Sequence, residues 1–376
     1  MWCTGPAVPG GVIELGLLCP GSTRAQWLPR FQPREGERQV LNRLDYMIRK
    51  LAFSVATVIA VLVFNFALFR ILPGDPVQMI DNPRMRPEAR ERIYHTFGLD
   101  RPIWLDLRRA WETRSVQAAF DSQFVYYLRN LVRGELGESF AQQRPVSEAI
   151  GSRLGPTVLL MFTGEFLGIT LGTSLGLIAA WKRRSPVDAI AMLIGLTAFS
   201  LPAFWLGIIF LTLARGHLPM HGMTTVGMIY SSGWEEVSDI ARHMIMPVGT
   251  LAILLFGAYL LVVRNTTLEV LAEDYILTAK AKGLVPIRIL RDHALKNASL
   301  PLVTIVAMDL GYALGGAIQI ETIFSWPGVG RLMFESIGAR DYPVLQGVFL
   351  ILALGVVSAN FLADLTYALL DPRVKA

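Results

Sequence analysis

Residues 244–263 read MIMPVGTLAILLFGAYLLVV, an apolar run without a charged residue, closed by Arg264. A helix needs roughly 20 such residues to cross the hydrocarbon core of a bilayer. Five further runs of this kind lie at residues 51–72, 157–180, 189–213, 300–320 and 344–365. Backbone N–H and C=O groups have no water partner in lipid, so the runs are predicted as helices rather than strands. The composition agrees: 53% of the residues are hydrophobic and 17% charged, and the mean hydropathy is +0.44. An average soluble domain is about 25% charged. The chain is therefore read as an all-α polytopic membrane protein with six transmembrane helices.

The short loops orient the spans. Lys182, Arg183 and Arg184 face a single acid, Asp188, between the second and third runs. Lys280, Lys282, Arg288, Arg291 and Lys296 lie between the fourth and fifth, Arg373 and Lys375 in the tail, and Arg38, Arg43, Arg49 and Lys50 before the first. The positive-inside rule places all of these, and both termini, in the cytoplasm. Residues 73–156 carry bases and acids in balance and exceed the loop length to which the rule applies, so they are expected outside. A helix is expected there at residues 86–97, RPEARERIYHTF, in a region long enough to fold over the entrance. A pI near 9.3 reflects the cytoplasmic clusters; no basic, aromatic groove for nucleic acid is readable.

Residues 1–46, rich in Gly, Pro and Arg and without periodicity, are expected to be a disordered or misassigned cytoplasmic leader, with Met47 a compact start before the first span. Its beginning lacks the basic start and small-residue cleavage site of a signal peptide. Cys3 and Cys19 are the only cysteines and imply no disulfide or metal framework. The expected organisation is then the leader 1–46, the first span 47–72, an external region 73–156, a five-helix core 157–366 holding a cytoplasmic loop 264–299, and a tail 367–376.

Within that loop lies DYILTAKAKGL, residues 274–284. On a helix Tyr275, Thr278, Ala279 and Lys282 share a face, and Gly283 permits the turn that ends it. The string from Arg264 to HALKNASLP at residues 293–301 resembles the EAA-type coupling loop of permease subunits of ATP-binding-cassette importers, with Ala279, Gly283 and Pro301 on the family pattern. RILPGDP (70–76), FGLDRP (97–102), RGELGESF (133–140), ETIFSWPGVGRL (321–332), RDYPVLQG (340–347) and DPR (371–373) resemble the peptide/nickel branch, which transports dipeptides and oligopeptides. Thr278 and Lys280 depart from the literal EAA triplet around Ala279.

The resemblance implies a type I importer permease fold and a prokaryotic cytoplasmic membrane. It also implies a second homologous permease, two ATPase subunits carrying ATP and magnesium, and an external solute-binding protein. The loop residues Asp274, Tyr275, Thr278, Ala279, Ala281, Lys282 and Gly283 would meet the ATPase. The chain has no cofactor of its own in this reading. No G-x-x-x-x-G-K-[ST] or H-E-x-x-H occurs, and none of the lysines follows a glycine. His217 and His221 sit among Gly216, Pro219 and Gly222, where a loop fits better than a metal site.

Ionisable residues inside spans mark function by default, because their burial in lipid is costly. Glu165 and Asp309 are candidates for the translocation pathway or for pairing inside the bundle. Asp364 falls at the cytoplasmic end of the sixth span. Asn65 and Asn360 are expected to bond between helices. Trp326, Pro327 and Gly328 form a turn, with Trp326 suited to the membrane interface, and are candidates for an external gate or capping loop. Nickel chelates or other small solutes remain alternative substrates. An ion-coupled secondary transporter would need inverted repeats and broken spans, and neither is read here.

Overall fold

The computed structural model describes residues 35–71, 101–105, 111–316 and 318–370. The expected helix at 86–97 and the end of the tail lie outside these. Among the described residues the chain is helical, with one isolated bridge pairing Glu138 and Pro145. The α-helices of six or more residues are α1 (Glu35–Ile71), α2 (Gln123–Val132), α3 (Val146–Trp181), α4 (Pro186–Ser200), α5 (Ala203–Leu213) and α6 (Gly233–Leu271). They continue with α7 (Asp274–Ala281), α8 (Leu295–Gly316), α9 (Ile318–Ile323), α10 (Val329–Ala339) and α11 (Tyr342–Leu370).

Over their described residues the predicted spans fall on helix except at Leu201 and Pro202. Among the described residues four helices, or five counting one bent pair, are long and apolar enough to cross a membrane where six were expected. Three boundaries also move. α1 begins at Glu35, so residues 35–46 are helical where an aperiodic leader was expected. α3 begins at Val146 and runs through Pro156, so the last residues assigned to the external region already belong to the second helix. The third span is not one helix: α4 and α5 meet at a bend of 104°. Pro202 explains the break. Its ring disfavours helical geometry at the residue before it, and Leu201 is extended (φ −74°, ψ 131°). The expectation of unbroken spans is thus corrected.

The centre of the bundle is the contact between α3 and α6, the most extensive of any helix pair. Gly164, Gly168, Gly172 and Gly176 recur every fourth residue and form one stripe of α3. A Cβ on Gly172 would lie 2.6 Å from the Cβ of Tyr259, and one on Gly176 would lie 3.0 Å from the Leu260 carbonyl oxygen. Gly164 faces Leu251, Gly168 Leu255, Gly172 Tyr259 and Gly176 Val263, so residue numbers rise together and the helices run parallel. Small residues at this spacing let helix backbones approach in lipid, where association rests on packing rather than on the hydrophobic effect.

Parallel packing decides what the bent pair does. Trp181 ends α3 beside the far end of α6, whereas α6 starts beside the beginning of α3. The chain must return across the bundle in between, so α4 and α5 form a broken span rather than a re-entrant loop.

α1 and α11 are antiparallel. Lys50 Nζ reaches Asp364 Oδ2 at 2.9 Å, Asn65 Nδ2 donates to the Gln346 carbonyl at 3.0 Å, and the rings of Phe69 and Tyr342 meet at 6.3 Å. The N-terminal end of the first span and the C-terminal end of the last therefore lie on one side. Asn65 bonds between helices as expected; Asn360 does not, and sits exposed on α11. At the other end Phe66 packs against Trp104, Phe124 and Tyr127, which seats α2 on α1.

Gly172→Ala should destabilise the protein by about 1–3 kcal/mol, the usual cost of overpacking. Gly155→Ala, which meets nothing within 4 Å, should be neutral. Thermal melts of the two variants in detergent check this, and equal stability would remove the stripe from the account.

Candidate functional site

Three sites emerge from the sequence candidates. The first is α7 and the turn that follows it. Gly283 has φ +75°, the left-handed geometry that glycine adopts without a Cβ penalty. Its N–H donates to the Lys280 carbonyl at 2.9 Å, and the Leu284 N–H donates to the Ala279 carbonyl at 3.3 Å. This pair of bonds is a Schellman cap, and its customary hydrophobic contact is present: Leu284 packs on the cluster of Ile276, Ala279 and Ile289. The chain then restarts at Pro286, passes through a π-helical stretch (Ile289–Ala294) and enters α8.

The structure divides the coupling candidates between two faces. Ala279 points inward with Ile276, against Ile289, Val270, Leu271 and Trp181. It seats the helix on its own chain, and at 5% exposure it presents no docking surface. Burying Ile276 completely contributes about 1.5–3 kcal/mol. Asp274, Tyr275, Thr278, Ala281 and Lys282 are exposed, together with Leu277, which sequence reading overlooked. Exposed leucine beside inward isoleucine was the available signal. Tyr275 is also held from within: Asn297 Nδ2 donates to its hydroxyl at 2.6 Å. Lys280 Nζ stands 5.5 Å from the ring centroid of Trp181, the last residue of α3.

Next to this wedge, Arg264 on α6 grips Asp188 at the start of α4 with both arms of its guanidinium, Nε to Oδ1 at 2.6 Å and Nη2 to Oδ2 at 2.9 Å. Such bidentate pairs fix geometry as well as charge. α3, α4, α6 and α8 are therefore tied together where α7 sits.

The second site brings together Glu165 on α3, Tyr259 on α6 and Asp309 on α8. The Tyr259 hydroxyl contacts Glu165 Oε1 and lies 2.7 Å from Asp309 Oδ2. Glu165 and Tyr259 are buried and Asp309 is half-buried. A phenol carries one proton and can donate to one carboxylate at a time. Holding both contacts requires a second proton, on Glu165 or Asp309. Glu165 Oε2 has no hydrogen-bond partner among the described residues. Tyr259 was invisible to a sequence reading that looked for charge alone.

The third site is the turn at Trp326, Pro327 and Gly328. Trp326 is fully buried, so the expectation of a membrane-interface tryptophan is corrected. Its indole N–H donates to the Pro156 carbonyl of α3 at 2.9 Å, and its ring packs with Leu160, Met161, Met246 and Leu251. Beneath the turn, the buried Glu321 carboxylate accepts from Thr157 Oγ1 at 2.7 Å and from the Arg331 N–H at 2.9 Å. A Cβ on Gly328 would fall 2.2 Å from Glu321 Oε1, which explains glycine there. Asp341, also buried, ties the turn at 139–141 to α11 by accepting from Ser139 Oγ at 2.5 Å and the Ala141 N–H at 3.0 Å. Sequence reading missed both acids. His217 and His221 show no metal cluster, and none occurs among the described residues.

Tyr259→Phe should lower the melting temperature of the protein, since it strands the buried Glu165 carboxyl and the half-buried Asp309 carboxyl, at about 1–3 kcal/mol. Adding Asp309→Asn should recover part of that loss by removing the second acid. Additive losses in the double variant would show that the three groups do not share protons.

Comparison with known proteins places the chain. Residues 172–376 match the family model described as binding-protein-dependent transport system inner membrane component, and residues 43–161 match that of its N-terminal part. The chain is 34% identical to the dipeptide transport system permease protein DppB of Escherichia coli (strain K12), over 88% of this chain and 99% of that protein. The identity is also 34%, with the same coverage, to the di/tripeptide transport system permease protein DppB of Pseudomonas aeruginosa (strain UCBPP-PA14). It is 34% again to the glutathione transport system permease protein GsiC of Escherichia coli O6:H1, over 88% of this chain. A helical, multi-span chain with this match belongs to the family of inner membrane components of binding-protein-dependent transport systems, the permeases of ATP-binding-cassette importers.

Proposed function

We propose that this permease imports di- or oligopeptides by ATP-driven alternating access, with α7 as the element that receives motion from an ATPase subunit. The observation that carries the proposal is the construction of α7. It is a short helix locked at its C-terminus by the Gly283 cap, anchored inward by Ile276 and Ala279, with Leu277 59% exposed among polar neighbours. An apolar residue displayed on a rigid helix is what a helix-in-groove contact uses. The permeases named above for dipeptides, di/tripeptides and glutathione support the substrate class.

The path of coupling follows from covalent continuity. α7 joins α6 on one side and, through the π-helical stretch, α8 on the other. Those helices carry Tyr259 and Asp309, and their contact with Glu165 on α3 closes the bundle. A displacement of α7 therefore acts on the shared-proton cluster, where Asp309 and Glu165 line the proposed pathway. Packed helices with two arrangements turn small shifts into switching. The turn at Trp326–Gly328, fastened to α3 through Pro156, serves as the rigid outer end of the pathway and moves with α3. ATP and magnesium reside on two partner ATPase subunits; a second permease completes the pathway, and an external binding protein delivers the peptide. Both termini and α7 face the cytoplasm in this reading, as the lysine and arginine bias indicates.

Leu277→Asp should leave assembly intact and abolish peptide-stimulated ATP hydrolysis, by at least tenfold, in proteoliposomes holding the full complex. Stimulated hydrolysis at the wild-type rate would refute the docking role. Arg183→Cys should resist an impermeant thiol reagent in intact cells, in a background without Cys3 and Cys19, and Val132→Cys, 89% exposed, should label. Labelling of Arg183→Cys from outside inverts the topology.

A further inference from the structure

A cavity of about 410 Å³ lies where α1, α2, the turn at 134–138 and the start of α11 converge. That size falls in the range of small-molecule sites. Its walls combine Tyr126, Asn130 and Gln346 with apolar groups such as Leu350. Arg70 lines it from the last turn of α1, half-buried, with its guanidinium 5.6 Å from the Phe66 ring centroid. No carboxylate pairs with Arg70 among the described residues. The α1 C-terminus favours a cation, yet a partial dipole charge does not neutralise a whole one. The carboxylates in the cavity, Glu135 and Glu138, are both exposed at its wall.

A partly desolvated guanidinium that forms no ion pair among the described residues can bind an anionic group that accepts its fork of donors. The two exposed carboxylates at the wall, Glu135 and Glu138, offer a counter-charge to a cationic group. Simple anions use only the first of these.

We infer that this cavity binds a small zwitterion, with its anionic end on Arg70 and its ammonium end toward Glu135 and Glu138. Two sources have that chemistry. One is the headgroup of an aminophospholipid, a phosphate beside an ammonium. Position supports it: Arg70 ends the apolar segment Met47–Arg70 and Tyr342 begins the segment Tyr342–Leu365, so the cavity floor lies where two spans leave the hydrocarbon. The other is a peptide with free ends, a carboxylate beside an ammonium; this arm rests on the peptide-importer reading, and the headgroup arm does not.

The test uses the assembled complex in nanodiscs of phosphatidylglycerol alone. Phosphatidylethanolamine doped into the discs is followed by native mass spectrometry, and radiolabelled Ala-Ala by equilibrium binding, with the acetylated, amidated dipeptide as control. One of the two zwitterions should bind the wild type and bind at least tenfold more weakly to Arg70→Gln, with Arg70→Lys close to wild type. Retained phosphatidylethanolamine assigns the headgroup; dipeptide binding abolished by blocking assigns the substrate. If Arg70→Gln does not assemble, Glu138→Gln at the exposed wall is read instead and should weaken binding at least threefold. Absence of binding by both probes, or binding indifferent to these changes, overturns the inference. Peptide transport supplied by the external binding protein is measured on the same wild-type preparation. Failure of the importer reading appears there, independently of the cavity.

Discussion

The close approach of α3 and α6 governs the molecule. Four glycines at a four-residue interval bring one backbone against the other, and their parallel course obliges α4 and α5 to carry the chain back across the bundle. The same approach sets the Tyr259 Cβ against Gly172 and its hydroxyl at Glu165. Larger side chains on that stripe would separate the helices and the polar cluster together. Packing and chemistry share one surface.

α6, α7 and α8 follow one another along the chain from that surface. The segment is held by the Gly283 cap, the Ile276 anchor and the Arg264–Asp188 pair, which suits the proposed transmission of motion. It is less regular in the π-helical stretch before α8, a geometry frequent at functional sites. At the opposite end Glu321 and Asp341 accept from backbone N–H groups in buried turns, which makes those turns part of the framework.

The spans were legible because transfer free energy accumulates over some twenty residues and survives local exceptions. Helix ends were not: Glu35–Tyr46 and Val146–Pro156 are polar enough to resemble loops, and Pro202 lies in a run whose apolar character hides a break. The Gly283 turn was legible because glycine, cap and following proline are local in sequence. The inward direction of Ala279 was not, since it depends on Ile289 and Trp181 across the turn. Glu165 and Asp309 were found as costly charges, but their link through Tyr259 spans 94 and 50 residues and has no local signature. Trp326 was misplaced because interfacial preference is an average, and here a carbonyl of α3 accepts its N–H inside the protein.

The antiparallel pairing of α1 with α11 sets a timetable for biogenesis. The side chain of Asn65 finds its acceptor on a residue 281 positions later in the chain. At about 5–20 residues per second of synthesis, that partner emerges on the order of 15–60 seconds afterwards. Throughout that interval the first helix stands in the bilayer with an unsatisfied amide and without its closing neighbour. A ribosome that stalls before α11 leaves this helix open to lipid, to the insertion machinery or to quality-control proteases. The later helix is the one that seals the earlier.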